Sequence, residues 1–484
     1  MKLCFLYFVL WSCTVLAVQP VKLTKVQMLE DFEFLQKTIN DYAVFIPLVE
    51  KRMGISVRDH LKALQQEITS ETTPEEFAVL VRHGLNILYD GHSNFCGKDA
   101  LKWNVTSTYN YLKEVSNAEL GDTLYADYYA SVVADRIYQK NKSNIFFKYA
   151  DGKYYVTSPF TVNGISIKSG EEVTAVNGTP IDTFVNNLFP KLYYTGWDPI
   201  HKKLYSDMLL TSLPPAGYET CIFTIGDKKT PIDTRTQIPG VEKIKYGLPR
   251  TPLVTLLEND ILYIRMPMMM SYGWYVNQIK EIYHPKIKKV IFDIRLNGGG
   301  DDNVWKKILS HLLKTPFQYT YRVEMNHREN LKNAIANFGE IEIQGNKMTV
   351  SRDRTILPDS NSVGFDGHIY ILQGRYTYSA ASAFISAAKQ NKKKFTIIGE
   401  PGAMISGYTF PGIVFVLPHS KIVYKIAFST DVTGGTTDPY MDQPDILITE
   451  NIDDYLDRFF THNPQEISYL QERDKCIKYV KGLQ

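Results

Sequence analysis

Three short segments hold residue types and spacings that could carry out acyl transfer. In the first, the apolar run His368-Ile369-Tyr370-Ile371-Leu372 reads as a buried strand and ends at Gln373-Gly374. A polar turn follows, Arg375-Tyr376-Thr377-Tyr378, and then Ser379-Ala380-Ala381-Ser382-Ala383-Phe384. The small residues suit a helix laid closely on a sheet. Ser379 then sits at a strand-to-helix elbow, its hydroxyl beside helix N-terminal N–H groups that suit a developing oxyanion. A serine there can equally serve as an ordinary helix cap. In the second, Phe292-Asp293-Ile294-Arg295-Leu296-Asn297-Gly298-Gly299-Gly300-Asp301, a buried strand ends in a charged pair and three glycines. Glycine lets backbone N–H groups approach a ligand without a Cβ in the way. The segment lacks the spacing and Lys of a phosphate cradle, so Gly299 or Gly300 is better read as an oxyanion donor, or the stretch as a plain loop. In the third, Leu88-Tyr89-Asp90-Gly91-His92-Ser93-Asn94-Phe95, a histidine follows a turn dipeptide at the end of a helical pattern. His92 is one of 10 histidines and a candidate general base.

Rival groups stand close by. Cys96 follows His92 by four residues, a spacing that would share a helix face, but it lacks a glycine-rich elbow. Ser382 lies one turn into the predicted helix and would face away from the elbow. No His-Glu-x-x-His or Cys-x-x-Cys pattern occurs, so neither a metal nor a cofactor is called for.

The elements that must position these groups follow from the pattern along the chain. Residues 24–90 repeat apolar side chains at spacings of three and four, and Thr73-Pro74-Glu75-Glu76 is a helix start, so a small helical domain is expected over 18–104. Residues 105–240 turn to short β-branched and aromatic runs between turn residues. From about 255, strands and helices alternate, which predicts an α/β layered unit over 241–484. The chain has 484 residues, 44% hydrophobic and 22% charged, which is globular composition for several domains. With 54 Lys+Arg against 52 Asp+Glu, nothing in the charge points to nucleic acid or an acidic membrane.

Lys2 followed by the apolar Leu3 to Leu16 and the small Ala17 reads as a secretory signal over residues 1–17. A secreted or periplasmic protein with no later membrane span is expected. Cys4 and Cys13 would leave with the signal. Cys96, Cys221 and Cys476 remain, enough for at most one internal disulfide. Glycosylation triplets begin at Asn104, Asn141 and Asn177.

Taken together in chain order, the segments resemble the C-terminal processing (tail-specific) peptidases and their tricorn-type relatives. The resemblance rests on Asp90-Gly91-His92, on residues 293–300, on Tyr378-Ser379, on Gly399-Glu400-Pro401 and on Pro444-Asp445-Ile446. Residues 170–181 resemble the core of that family's PDZ domain, with Glu171 for Asp, which would place a PDZ-like unit at about 150–235. The resemblance implies an α+β multidomain fold with an N-terminal helical domain, a PDZ-like β domain and a crotonase-like α/β catalytic domain. It implies a serine peptidase acting through an acyl-enzyme on a peptide or protein substrate, with homo-oligomers allowed. One branch of the family pairs its Ser with a Lys 25 residues on; here that position is Met404, and Lys389 lies on the helix that carries Ser379. The tricorn-type branch uses Ser, His and an acid seven residues before the closing Pro-Asp aspartate, a position held here by Asp438 where the family typically has Glu. The implied machinery is Ser379 as nucleophile, His92 as base, Asp438 as orienting acid, and the N–H groups of Gly299 (or Gly300) and Ala380 as oxyanion hole. The rival from another class is a catalytically inactive binder of peptides or lipophiles, as retinoid-binding proteins on this fold are. An acyl-CoA enzyme of the crotonase type fits poorly with an exported chain.

Overall fold

The computed structural model describes residues 20–483 apart from 107–109, 138–142, 193–194, 208, 210–216, 259, 403–409, 411 and 434–442. The N-terminal part is helical as expected: Lys25–Tyr42, Ile46–Met53, Val57–Gln66 and Pro74–Asn86. Thr24 with Gln27, and Thr73 with Glu76, close reciprocal capping boxes, which fix where the first and last of these helices begin. The stripe Met28, Phe32, Leu35 and Ile39 is fully buried.

Helix continues past the expected change at 105. Lys98–Thr106 and Thr123–Ile137 are helices, and strands of the β-rich part begin only at Phe147–Ala150. The second of these helices carries Tyr125, Tyr128 and Tyr129, residue types that favour strands in isolation. Packing overrides that preference: Tyr129 is buried, and the Tyr128 hydroxyl donates to Glu75 at 2.7 Å. The β-rich sheet runs in the order Lys228–Asp233, Thr220–Ile225, Glu172–Val176, Lys153–Val156, Phe147–Ala150. Asn177 and Gly178, both at positive φ (50° and 78°), form its tight turn into Thr179–Pro180, and the helix Ile181–Leu188 follows.

The central sheet has six strands in the order Leu253–Glu258, Ile261–Arg265, Lys289–Asp293, His368–Gln373, Phe395–Gly399, Ile446–Leu447. The first pair is antiparallel and every later pair is parallel. One face packs on Tyr272–Ile282, Asn303–Leu312 and Ala380–Ala388, and the other on the C-terminal segment through Leu470, Ile477 and Val480. Both faces are covered, so the strands are buried nearly throughout, as their continuous apolar runs require. Cys96, Cys221 and Cys476 are buried free thiols. Among the described residues no helix is long and apolar enough to cross a membrane. The signal-like segment lies outside the described residues, as does Asn141.

Candidate active site

Ser379 occupies the turn between the strand His368–Gln373 and the helix Ala380–Ala388. Its backbone stands at φ 56°, ψ −124°, a conformation a non-glycine residue holds only when its surroundings impose it. Those surroundings are visible. The Thr377 hydroxyl donates to the Ile294 carbonyl (2.9 Å) and accepts from Gly374 N–H (3.0 Å), while Tyr378 N–H donates to the Asn297 carbonyl (3.0 Å). The Arg375 guanidinium bonds Glu400 at 2.9 Å. The elbow is thus sewn to the neighbouring strand end.

The glycine loop lies against it. A Cβ on Gly299 (φ 107°) would stand 2.5 Å from the Ser379 Cβ, and one on Gly300 (φ 135°) 2.4 Å from the Met269 carbonyl. Asn297, fully buried, donates to the Met266 carbonyl (2.8 Å) and accepts from Gly299 N–H (2.8 Å). This changes one expectation: the Gly299 N–H is already engaged. The bridge to Met269 uses the Gly299 carbonyl and the Asp301 N–H, so it leaves the Gly300 N–H out. Ala380, as the first helical residue, likewise has an N–H with no intrahelical acceptor.

His92 reaches this elbow from the N-terminal part. Beyond the helix Pro74–Asn86, Tyr89 turns the chain at φ 55°, and Asp90 Oδ1 accepts from the N–H groups of His92 (2.8 Å) and Ser93 (2.7 Å). Asn94–Phe95 then pairs with Val423–Ile426, and the Ser93 hydroxyl accepts from Ala427 N–H at 2.9 Å. His92 Nε2 lies 3.2 Å from Ser379 Oγ. Its Nδ1 lies 2.7 Å from the Tyr378 hydroxyl, which also accepts from Gly91 N–H at 2.9 Å. The two rings stack with centroids 4.8 Å apart. Burial, with the Lys425 charge adding to it, pushes the His92 imidazole down to about 3. Burial holds the Tyr378 phenol well above its usual range.

The remaining candidates separate. Cys96 and His92 share no helix; the segment between them is an extended strand, and Cys96 points into an apolar cluster with Leu101 and Val423. Burial raises its thiol to about 11, far from a nucleophile. Ser382 is buried in the helix. Asp438 and Met404 lie outside the described residues.

Residues 260–446 match the sequence model of Peptidase family S41. The central sheet is an S41 peptidase domain. That match, over residues 260–446, supports the C-terminal processing peptidase family and marks the chain as an enzyme, a serine-type peptidase. No curated protein sequence matches it. Among solved structures, mature CPAF has a TM-score of 0.53 at 13% identity, covering 94% of this chain and 99% of that one. Mature CPAF complexed with lactacystin has a TM-score of 0.53 at 12% identity, covering 90% and 97%. The photosystem II D1 C-terminal processing protease has 12% identity and a TM-score of 0.37, covering 87% and 93%. At such identities the likeness to CPAF is one of fold.

The S41 segment contains Ser379, Ala380, Gly299 and Gly300 but not His92, which comes from outside it. Two positioning groups escaped the sequence reading. Asn297 stood inside a recognised motif, yet only its partners reveal that it anchors the glycine loop. Tyr378 stood next to the candidate serine, and nothing in its spacing signals a bond to a histidine 286 positions away.

Proposed function

We propose that the chain hydrolyses peptide bonds through an acyl-enzyme, with Ser379 as nucleophile and His92 as general base. The observation that carries this reading is the 3.2 Å approach of His92 Nε2 to Ser379 Oγ. For His92 to accept the serine proton, Nδ1 must hold the ring's own proton and donate it to the Tyr378 oxygen. That leaves the Nε2 lone pair facing Oγ. As Ser379 attacks the carbonyl carbon, its proton moves to Nε2, and the new oxyanion meets the N–H groups of Gly300 and Ala380. Gly299 serves the loop instead. One such donor supplies about 3 kcal/mol of barrier lowering. The imidazolium then gives its proton to the leaving amine, and water, deprotonated by the same imidazole, frees the acid. Asp438 keeps its proposed part as the orienting acid, in the manner of the tricorn-type branch; with Nδ1 given to Tyr378, it would act through that hydroxyl and not on the imidazole directly.

The chain is proposed to be exported through its first seventeen residues. The β-rich sheet would take an extended peptide in the manner of a PDZ domain. A fluorophosphonate probe tests the nucleophile. It should label the wild-type protein and leave Ser379→Ala unlabelled, with peptidase turnover falling by about 10⁴-fold or more. Equal labelling of both proteins would sink the assignment. The solved CPAF complex makes lactacystin a second probe to try at the same residue.

A further inference from the structure

The S41 domain borders a cavity of about 230 Å³ that Gly374, Arg375 and Tyr376, of the turn leading to Ser379, help to line. It lies beyond the carboxyl ends of four neighbouring strands, where Arg265, Asp293, Gln373 and Gly399 stand. Open α/β sheets favour ligands at that edge. Phe146, Ile244, Leu248, Pro249, Pro267 and Phe459 supply apolar wall. Neither Ser379 nor His92 lines it.

Among the described residues, the charges around the cavity form ion pairs with one exception. Lys148 is held by Asp207, Arg295 by Asp293 and Asp474, and Arg375 by Glu400. Arg458 is held by Glu450 and Lys475 by Asp454. Arg265 is only 4% exposed and has no carboxylate partner among the described residues. Its Nε donates to the Thr251 carbonyl at 3.0 Å, and its buried Nη1 has no acceptor. Arg458 Nε is a second buried donor without an acceptor on the same wall. A guanidinium never loses its charge in a protein, and an unpaired buried charge is costly. Water can satisfy the N–H but not the charge.

We propose that this cavity binds a small apolar monocarboxylate, whose head group pairs with Arg265 and whose tail lies along the apolar wall. Arg295 holds two carboxylates, so these charges balance in sum, but Arg265 alone stands outside an ion pair with a buried N–H free, and a planar carboxylate matches its guanidinium fork. At interior packing density the volume holds roughly ten non-hydrogen atoms, about the size of octanoate.

Calorimetry with octanoate tests this. Octanoate should bind one per chain, with octanol (no charge) and acetate (no tail) at least tenfold weaker. Arg265→Gln should weaken octanoate at least tenfold, and Leu248→Trp should block it by filling the wall. Absence of octanoate binding overturns the proposal, as does octanol binding equally well or Arg265→Gln binding like wild type. Should Arg265→Gln fail to fold, Leu248→Trp decides: loss of binding supports the site, and wild-type affinity overturns it. The same titrations on Ser379→Ala protein should match wild type, so the outcome is independent of the peptidase reading.

Discussion

The imidazole of His92 stacks on Tyr378 and has its Nδ1 at the Tyr378 hydroxyl, so that in the proposed mechanism one phenol would set both tilt and tautomer. Removing only that oxygen keeps the stack and frees the ring nitrogen. Tyr378→Phe should lower kcat by about tenfold with little change in KM, since the loss bears on proton transfer rather than binding. An unchanged kcat would mean the phenol merely fills space. The titration of His92 gives a second residue-level test. Its charged form is disfavoured, first by burial and then by Lys425, so the imidazole stays neutral well below the usual histidine value. The acid limb of kcat/KM should therefore fall well below pH 6.5. Lys425→Met removes a repelling charge and should move that limb upward; a downward move would contradict the assignment of the limb to His92.

At the scale of elements, the site exists because separate segments are clamped. Asp31, fully buried on the first helix, accepts from the N–H groups of His419 (2.8 Å) and Ser420 (2.7 Å). Those residues form the turn between Ile413–Val416 and Val423–Ile426, and the latter strand pairs with the one that follows His92. Asp31→Ala would strand two buried donors and should destabilise the fold by about 2–4 kcal/mol in urea unfolding. Activity should fall in the surviving folded fraction as the His92 strand loosens. The glycine loop is the other clamp. Gly299→Ala meets both a positive φ and the Ser379 Cβ at 2.5 Å, so turnover should be abolished even where circular dichroism reports a folded chain. Wild-type turnover from that variant would show that the loop can stand off from the elbow.

For the molecule as a whole, buried neutral histidines link folding to pH. Burial, followed by the Lys191 and Arg82 charges, lowers His83 to about 4. In the unfolded chain His83 and His92 take up protons near the ordinary value of about 6.5, while the folded chain resists doing so. Between pH 6.5 and 4 the unfolded state therefore binds more protons, and stability falls as pH falls. The slope is at most about 1.4 kcal/mol per pH unit for each group. Urea midpoints at pH 7, 5.5 and 4.5 should decline, and His83→Gln should flatten the decline. Stability that held level across this range would show that these histidines already carry charge in the folded protein.

The amino-acid order alone determined the pieces of this molecule. Capping boxes marked helix starts, continuous apolar runs marked strands buried on both faces, and the turn chemistry after Gly374 marked an elbow. These signals are local, because caps, periodicity and glycine turns act within a few residues. Tertiary structure alone decided the rest. It brought the imidazole of His92 to a hydroxyl 287 positions away, turned the Gly299 N–H toward Asn297, and left Arg265 at a cavity with no carboxylate partner among the described residues. Each of those depends on which groups lie across a gap of a few ångströms, and chain order carries no distance between residues that only folding makes neighbours.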